Sequence, residues 1–387
     1  MRPTAPPDYP DYPDDPVAEP VHKGRGALSN ETSRYDTEKR IRTTDGWEAE
    51  VAAVAEDDAL PRLRTTLTRD ATRTILARNT SPDIPFDRSI NPYRGCEHGC
   101  IYCFARPTHA YLGLSPGLDF ETRILFKPEA ARLLAAELSG PKYRCDVIAM
   151  GTNTDPYQPV ERDLKVTRQI LRVLADFNNP VGIVTKNHMV TRDIDILGDM
   201  ARRNLVEVFL SVTTLDKDLA RAMEPRASTP QRRLDAIRAL ATAGIPVGVM
   251  TSPMIPGLND HEMESILEAA MDAGATRAGY IVLRLPLEIK ELFEEWLRAH
   301  RPDRAERVLS LIRQIRGGEL YQAEFGTRMK GEGPIAQLLS ARFAAATKRL
   351  GLNRTRYRLD TQAFHVPESA RTALVDAKRD GRQMRLL

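Results

Sequence analysis

The chain has 387 residues, 42% of them hydrophobic, enough to bury a large core. Its net charge of +3 is too small to demand a nucleic-acid partner, and four cysteines are too few for a disulfide framework in a chain this long. With no charged-then-apolar leader and no run of about 18 apolar residues, the sequence predicts neither a secretory signal nor a membrane span, and a cytoplasmic protein with reduced thiols.

Residues 1–50 open on an acidic, proline-rich stretch, "PPDYPDYPDDPVAEP", and lack apolar periodicity, so they read as a disordered or surface-wrapping extension. Residues 51–84 read as an accessory segment with a short helix and some strand. A regular rhythm then runs through 85–316. "RSINPYRG" (88–95) reads as a first strand and leads into "NPYRGCEHGCIYCFAR". Strand 145–152 is followed by helix 163–177, strand 180–187, and helix 193–203 with Ile194, Leu197 and Ala201 on one face. Strand 206–214 precedes helix 229–244, which Thr229 caps, Pro230 enters and Gly244 stops. Strand 246–255 precedes helix 259–274, where Asn259 and Glu262 have capping-box spacing and Met263, Ile266, Leu267 and Ala270 form an inner stripe. Strand 278–286 follows, then a long charged helix to about Arg316. Residues 317–387 read as a helical, basic segment, with Ile335, Leu338, Leu339 and Phe343 on one face of a helix. Its basic stretches, "NRTRYRLD" and "KRDGRQMRLL", read as solvated surface rather than as a phosphate patch.

Alternating strands and helices of this length predict an α/β fold with a parallel sheet and right-handed crossovers. The near-continuously apolar strands are those of a sheet covered by helices. Six such units either close partway into a barrel or lie open in a doubly wound sheet. In both cases ligands gather at the C-terminal ends of the strands.

Cys96, Cys100 and Cys103 directly follow the first strand, at that rim, as C-x3-C-x2-C. Thiolates this close select a soft metal. One reading is zinc, with His98 or His109 as fourth ligand, in a nucleic-acid-binding protein whose basic C-terminal segment meets phosphates. Against it stands the absence of a second C-x2-C pair, Cys145 being isolated at the start of a strand and reading as an inert buried thiol. The other reading is an iron–sulfur cluster. A four-iron cubane takes four thiolates, so three leave one iron open to something reactive.

The C-x3-C-x2-C loop with an aromatic before its last cysteine, set after the first of six strand–helix units, resembles the radical S-adenosylmethionine (radical SAM) superfamily over residues 85–300. The resemblance implies a partial (β/α)6 TIM-like barrel, with the N-terminal extension and the C-terminal helical segment as additions. It implies a [4Fe-4S] cluster on Cys96, Cys100 and Cys103, S-adenosylmethionine as cosubstrate, and an electron donor such as flavodoxin or ferredoxin. It also implies reductive cleavage to a 5′-deoxyadenosyl radical that abstracts hydrogen from a substrate.

The cosubstrate's carboxylate, ribose and adenine then need partners at the strand ends. Lys186 and Arg226 are candidates for the carboxylate, Ser211 and Thr213 for carboxylate or ribose, and Tyr102 and Ile255 for adenine. The superfamily's Gly-Gly-Glu turn is missing from "GTNTDPYQPVE" (151–161), where Asp155 is the candidate for the amino group. "TDPYQP" is similar to the subgroup around spore photoproduct lyase, which implies a nucleic-acid lesion as a possible substrate. The lyase's hydrogen-donor cysteine precedes its Thr-Asp pair; Asn153 stands there in this chain, so the lyase's termination chemistry does not carry over.

Overall fold

The computed structural model describes residues 22–30, 32–36, 63–355 and 358–370. The acidic opening stretch, residues 37–62 and the last basic stretch lie outside the described residues.

The strands are β1 (Thr66–Arg69), β2 (Leu76–Arg78), β3 (Arg88–Ile90), β4 (Tyr93–Arg94), β5 (Arg123–Phe126), β6 (Ile148–Met150), β7 (Val181–Thr185), β8 (Val206–Ser211), β9 (Val247–Met254) and β10 (Arg277–Val282). β3, β6, β7, β8, β9 and β10 lie side by side in chain order and run parallel, with β2 antiparallel outside β3. Neighbouring parallel strands joined by helices in strict chain order are the topology of a partial (β/α) barrel. A small second sheet, β1-β5-β4, flanks the first crossover.

The helices cover the sheet through the stripes that their sequence lays out. Ile170, Leu171 and Leu174 of Val166–Asp176, Leu197 and Met200 of Ile194–Arg202, and Met263, Ile266, Leu267 and Ala270 of Met263–Asp272 are fully buried. They meet Ile148, Val181, Val208 and Val249 in one apolar core. Thr229 caps Pro230–Thr242 by accepting from Arg232 N at 3.4 Å, and Gly244 ends it with a φ of 73°.

Five local expectations change. The first strand breaks at Asn91 and Pro92 into β3 and β4, which join different sheets. The helix expected over 163–177 divides at Lys165, whose φ is 52°. The long charged helix is two, Ile289–His300 and Ala305–Gln314, because Pro302 lies between them and lacks the N–H that a continuous helix needs. Asn259 and Glu262 form no capping box: Asn259 ties Ile255 N (2.7 Å) to Thr213 O (2.8 Å), and Glu262 accepts from Leu215 N at 2.7 Å. In Gly333–Leu350 the inner face takes Ala336 and Leu339, whereas Leu338 is exposed. Among the described residues no helix is long and apolar enough to cross a membrane.

Candidate active site

The cysteine loop leaves β4 through Gly95, whose φ of 82° suits glycine and whose added Cβ would lie 2.8 Å from Phe120 O. Backbone bonds then pin the loop at both ends, from Cys96 N to Phe120 O at 2.9 Å and from Ile101 N to Met223 O at 3.0 Å. "TDPYQP" braces it from the side. Thr154 Oγ1 donates to Gly95 O at 2.7 Å, and Gln158 receives Glu97 N at 2.9 Å while donating to Gly95 O at 3.2 Å. From below, the fully buried Arg106 donates to Cys100 O (2.9 Å), Pro116 O (3.1 Å) and Gly117 O (2.9 Å), and pairs with the equally buried Glu121.

A segment of the N-terminal region roofs the loop. Glu121 accepts Gly26 N and Ala27 N, each at 2.9 Å, and Ala27 packs in one apolar cluster with Cys100, Ile101 and Tyr102. Gly26 passes so close that a Cβ would fall 1.8 Å from Gly99 O. Ser29 Oγ to Glu295 (2.9 Å) and Arg34 to Glu288 (2.8 Å) anchor this segment to Ile289–His300.

Cys96 and Cys100 are buried, Cys103 is half-buried, and all are free thiols. Burial pushes all three thiols up, with Lys186 pulling Cys100 and Cys103 the other way. Buried thiols of this kind hold negative charge only against a bound metal centre, so the donor set suits a thiolate-ligated cluster. The histidines that a zinc site would need each have Nε2 engaged, while Nδ1 of both is buried without a hydrogen-bond partner among the described residues. His98 lies 3.3 Å from Asp155 through Nδ1 and 3.3 Å from Asn187 Nδ2 through Nε2, and His109 Nε2 is 3.1 Å from Arg123 O. Among the described residues no three Cys, His, Asp or Glu side chains gather around one ion position. Cys145 lies before β6, at the opposite end of the sheet. It is half-buried rather than buried, its Sγ donates to Asn179 Oδ1 at 3.5 Å, and burial pushes it up to about 11.

Four of the seven residues singled out for the cosubstrate, Lys186, Tyr102, Thr213 and Ile255, meet at the loop. Lys186 Nζ stands 5.7 Å from the centre of the Tyr102 ring. Tyr102 Oη is 3.2 Å from Thr213 Oγ1, and Ile255 belongs to the apolar cluster of Cys100 and Tyr102. Ser211 is buried at the end of β8, its carbonyl held by Arg233 Nη1 at 2.9 Å. The other two are committed elsewhere. Both oxygens of Asp155 are filled, by Thr185 Oγ1 (2.6 Å), Tyr157 N (2.9 Å), Lys186 N (2.8 Å) and His98. Burial would raise this carboxyl, but His98 and these donors hold it down at about 2. Arg226 pairs with Glu97 at 3.0 Å. Both side chains thus already have partners within the protein.

Sequence reading missed Glu224 and Arg233. Glu224 accepts from Tyr102 Oη and from Thr213 Oγ1 (2.6 Å) and pairs with Arg233, a buried network that fixes the aromatic between two cysteines. Glu224 lies two residues before Arg226 in "MEPRAS", so the motif was visible but its acid was passed over. Asn153 is exposed at the rim, its backbone N–H held by Asn91 Oδ1 at 2.9 Å.

A three-cysteine loop on the C-terminal rim of a partial (β/α) barrel defines the class: the chain belongs to the radical SAM superfamily, whose profile matches residues 90–270. It is an enzyme of the radical SAM type, with a [4Fe-4S] cluster and S-adenosylmethionine as cofactors. Its relatives include an uncharacterized protein of Mycobacterium tuberculosis, 37% identical over 233 residues that make up 60% of this chain and 68% of that protein. Another, from Methanocaldococcus jannaschii, is 30% identical over 173 residues, 45% of this chain and 62% of that one. Among solved structures, spore photoproduct lyase complexed with dinucleoside spore photoproduct superposes with a TM-score of 0.54 at 16% identity, covering 74% of this chain and 81% of the lyase. A lyase mutant with bound AdoMet and the same dinucleoside gives 0.52 at 14% identity, covering 74% and 80%. At such identities the likeness establishes the fold.

Proposed function

We propose that Cys96, Cys100 and Cys103 ligate three irons of the cluster and leave the fourth iron for S-adenosylmethionine. The observation that carries this reading is three free cysteines in one loop on the C-terminal rim, two of them buried, beside Lys186, whose Nζ stands 5.7 Å from the centre of the Tyr102 ring. Bound together and reduced by one electron, from a donor such as flavodoxin or ferredoxin, cluster and cosubstrate supply a 5′-deoxyadenosyl radical that abstracts a hydrogen atom. The protein's part is positional. The Lys186 ammonium faces the cosubstrate carboxylate, Ser211 and Thr213 face its polar groups, and Tyr102 and Ile255 offer adenine an apolar shelf. Glu224 and Arg233 hold Tyr102 still, and the 22–36 segment keeps water from the loop.

The substrate we infer is a nucleic-acid lesion, supported by the likeness in fold to spore photoproduct lyase. Asn153 at the rim has no hydrogen atom that a radical can readily take, so the final hydrogen comes from another group or from the cosubstrate product. Anaerobic reconstitution with iron and sulfide, followed by reduction with S-adenosylmethionine, is expected to yield 5′-deoxyadenosine, and Cys100→Ala to abolish it. A wild-type protein no more productive than Cys100→Ala defeats the reading.

A further inference from the structure

The parallel sheet has two outer edges, β2 and β10, and loops beyond them meet across the open side of the barrel. Asp83 accepts from Gly326 N at 2.7 Å and from Arg328 Nε, while Arg328 Nη2 donates to Ser81 Oγ. Val282 N donates to Met329 O at 2.9 Å, so the 327–329 stretch extends the rim past β10.

Two more guanidiniums lie behind this clasp. Arg316 is fully buried and donates to Leu283 O (2.6 Å) and Thr327 O (3.1 Å), and its Nε has no partner. Burial, and then the charge of Arg284, lower it to about 10. Arg284 is half-buried, with its Nε buried and unpartnered. Among the described residues its one hydrogen-bond acceptor is the thioether of Met329, at 3.6 Å. Its guanidinium carbon stands 5.2 Å from the centre of the Phe104 ring. Phe104 is the residue after Cys103 and is 44% exposed.

A guanidinium carries five N–H donors in a fork that fits oxyanions, and a thioether is a weak acceptor for them. Taking such a cation out of water without a counter-ion is costly. Asp83 is hydrogen-bonded to Arg328 and Gly326, and Glu332 accepts from Gln322 at 3.0 Å, so these acids act on the two arginines only at longer range and, among the described residues, no carboxylate is in ion-pair contact with either. Two adjacent cations with no carboxylate in contact favour a phosphate over a singly charged carboxylate. We propose that Arg284, backed by Arg316 and lying on Phe104, receives a phosphate group of the substrate at the open side of the barrel. The proposal rests on the radical reading only for the role of the neighbouring cluster loop.

The test is calorimetric titration of the anaerobically reconstituted full chain with inorganic phosphate, thymidine monophosphate, a thymidine dodecamer and, as contrast, acetate. Phosphate-bearing probes are expected to bind. Arg284→Gln is expected to weaken them at least tenfold and Arg284→Lys by less, while Arg313→Gln, an exposed arginine of Ala305–Gln314, leaves binding within twofold. Equal affinity for monophosphate and dodecamer assigns a phosphomonoester, and preference for the dodecamer a phosphodiester backbone; both support the site. Absent binding, acetate binding as well as phosphate, or Arg284→Lys matching wild type overturns it. The lysine variant covers the case in which Arg284→Gln does not fold. 5′-Deoxyadenosine formation in the same preparations reports on the radical chemistry separately. Phosphate binding without that product leaves this site standing alone, and the reverse pattern sinks only the site.

Discussion

Glu121→Gln is the sharpest test of what holds the cysteine loop. Glu121 is fully buried, and its two oxygens serve three donors: Arg106 and Ala27 N on Oε1, and Gly26 N on Oε2. A glutamine amide turned either way sets its NH2 against at least one of them, and the charge that balances Arg106 is lost. Breaking one side of a buried ion pair costs about 3–5 kcal/mol. At about 2 °C per kcal/mol, the low end for a chain this large, unfolding should fall by roughly 6–10 °C. The assay is thermal unfolding of the metal-free protein by circular dichroism, with iron per chain after reconstitution as a second measure. Replacing both partners, as Arg106→Met with Glu121→Leu, should not restore stability, because Arg106 also satisfies three backbone carbonyls. A Glu121→Gln protein that melts within 2 °C of wild type and keeps its iron would refute this account of the loop.

Gly26→Ala forces a methyl group onto Gly99 O, so the 22–36 segment must lift; bleaching of the cluster absorbance in air is expected to speed up several-fold, and an unchanged rate counts against the roof. Lys186→Met should weaken S-adenosylmethionine binding about tenfold or more, the value of a charge-assisted contact of about 1.5–3 kcal/mol, while iron content stays at the wild-type level; equilibrium dialysis reads both. His109 carries a pH signature. Burial lowers it from 6.5 to about 4, so the unfolded chain binds its proton first as pH falls. The stability it contributes is full above pH 6.5 and is lost as pH falls to about 4, at most about 3 kcal/mol. His109→Gln keeps a donor for Arg123 O and should flatten the denaturation midpoint between pH 6.5 and 4; a parallel decline in both proteins removes His109 from the acid response.

The architecture was legible because period and punctuation agree: apolar strands ending in polar rims, and helices with caps such as Thr229. The cysteine loop was legible because its spacing leaves one metal position unfilled. What stayed hidden depends on contacts between distant residues. Asp155 looks like any strand-end carboxylate until His98 and Thr185, 57 and 30 positions away, are seen to fill its oxygens. Asn259 and Glu262 satisfy a local capping rule, yet tie strand ends together instead, since a buried backbone group at the rim needs a partner more than an exposed helix start does. No periodicity announces that Gly26 and Ala27 lie against the cysteine loop, because the described part of this segment is held through the carboxylates of Glu121, Glu288 and Glu295 rather than through a repeating apolar face.

The two coverings of the rim differ in kind, and the difference bears on how a substrate enters. The roof over the cysteines closes on the wholly buried Glu121, whose two oxygens receive Ala27 N and Gly26 N, so lifting it strips donors from a carboxylate in an apolar setting. The clasp across the open side closes on Asp83 and Arg328, whose side chains keep 7% and 17% of their exposure. Water can reach these groups when they part, so opening costs far less than at the roof. A radical enzyme needs a permanent cover over its metal and a removable one over its substrate. The buried carboxylate suits the first need and the wetted pair the second, and Arg284 stands directly behind the door that can open.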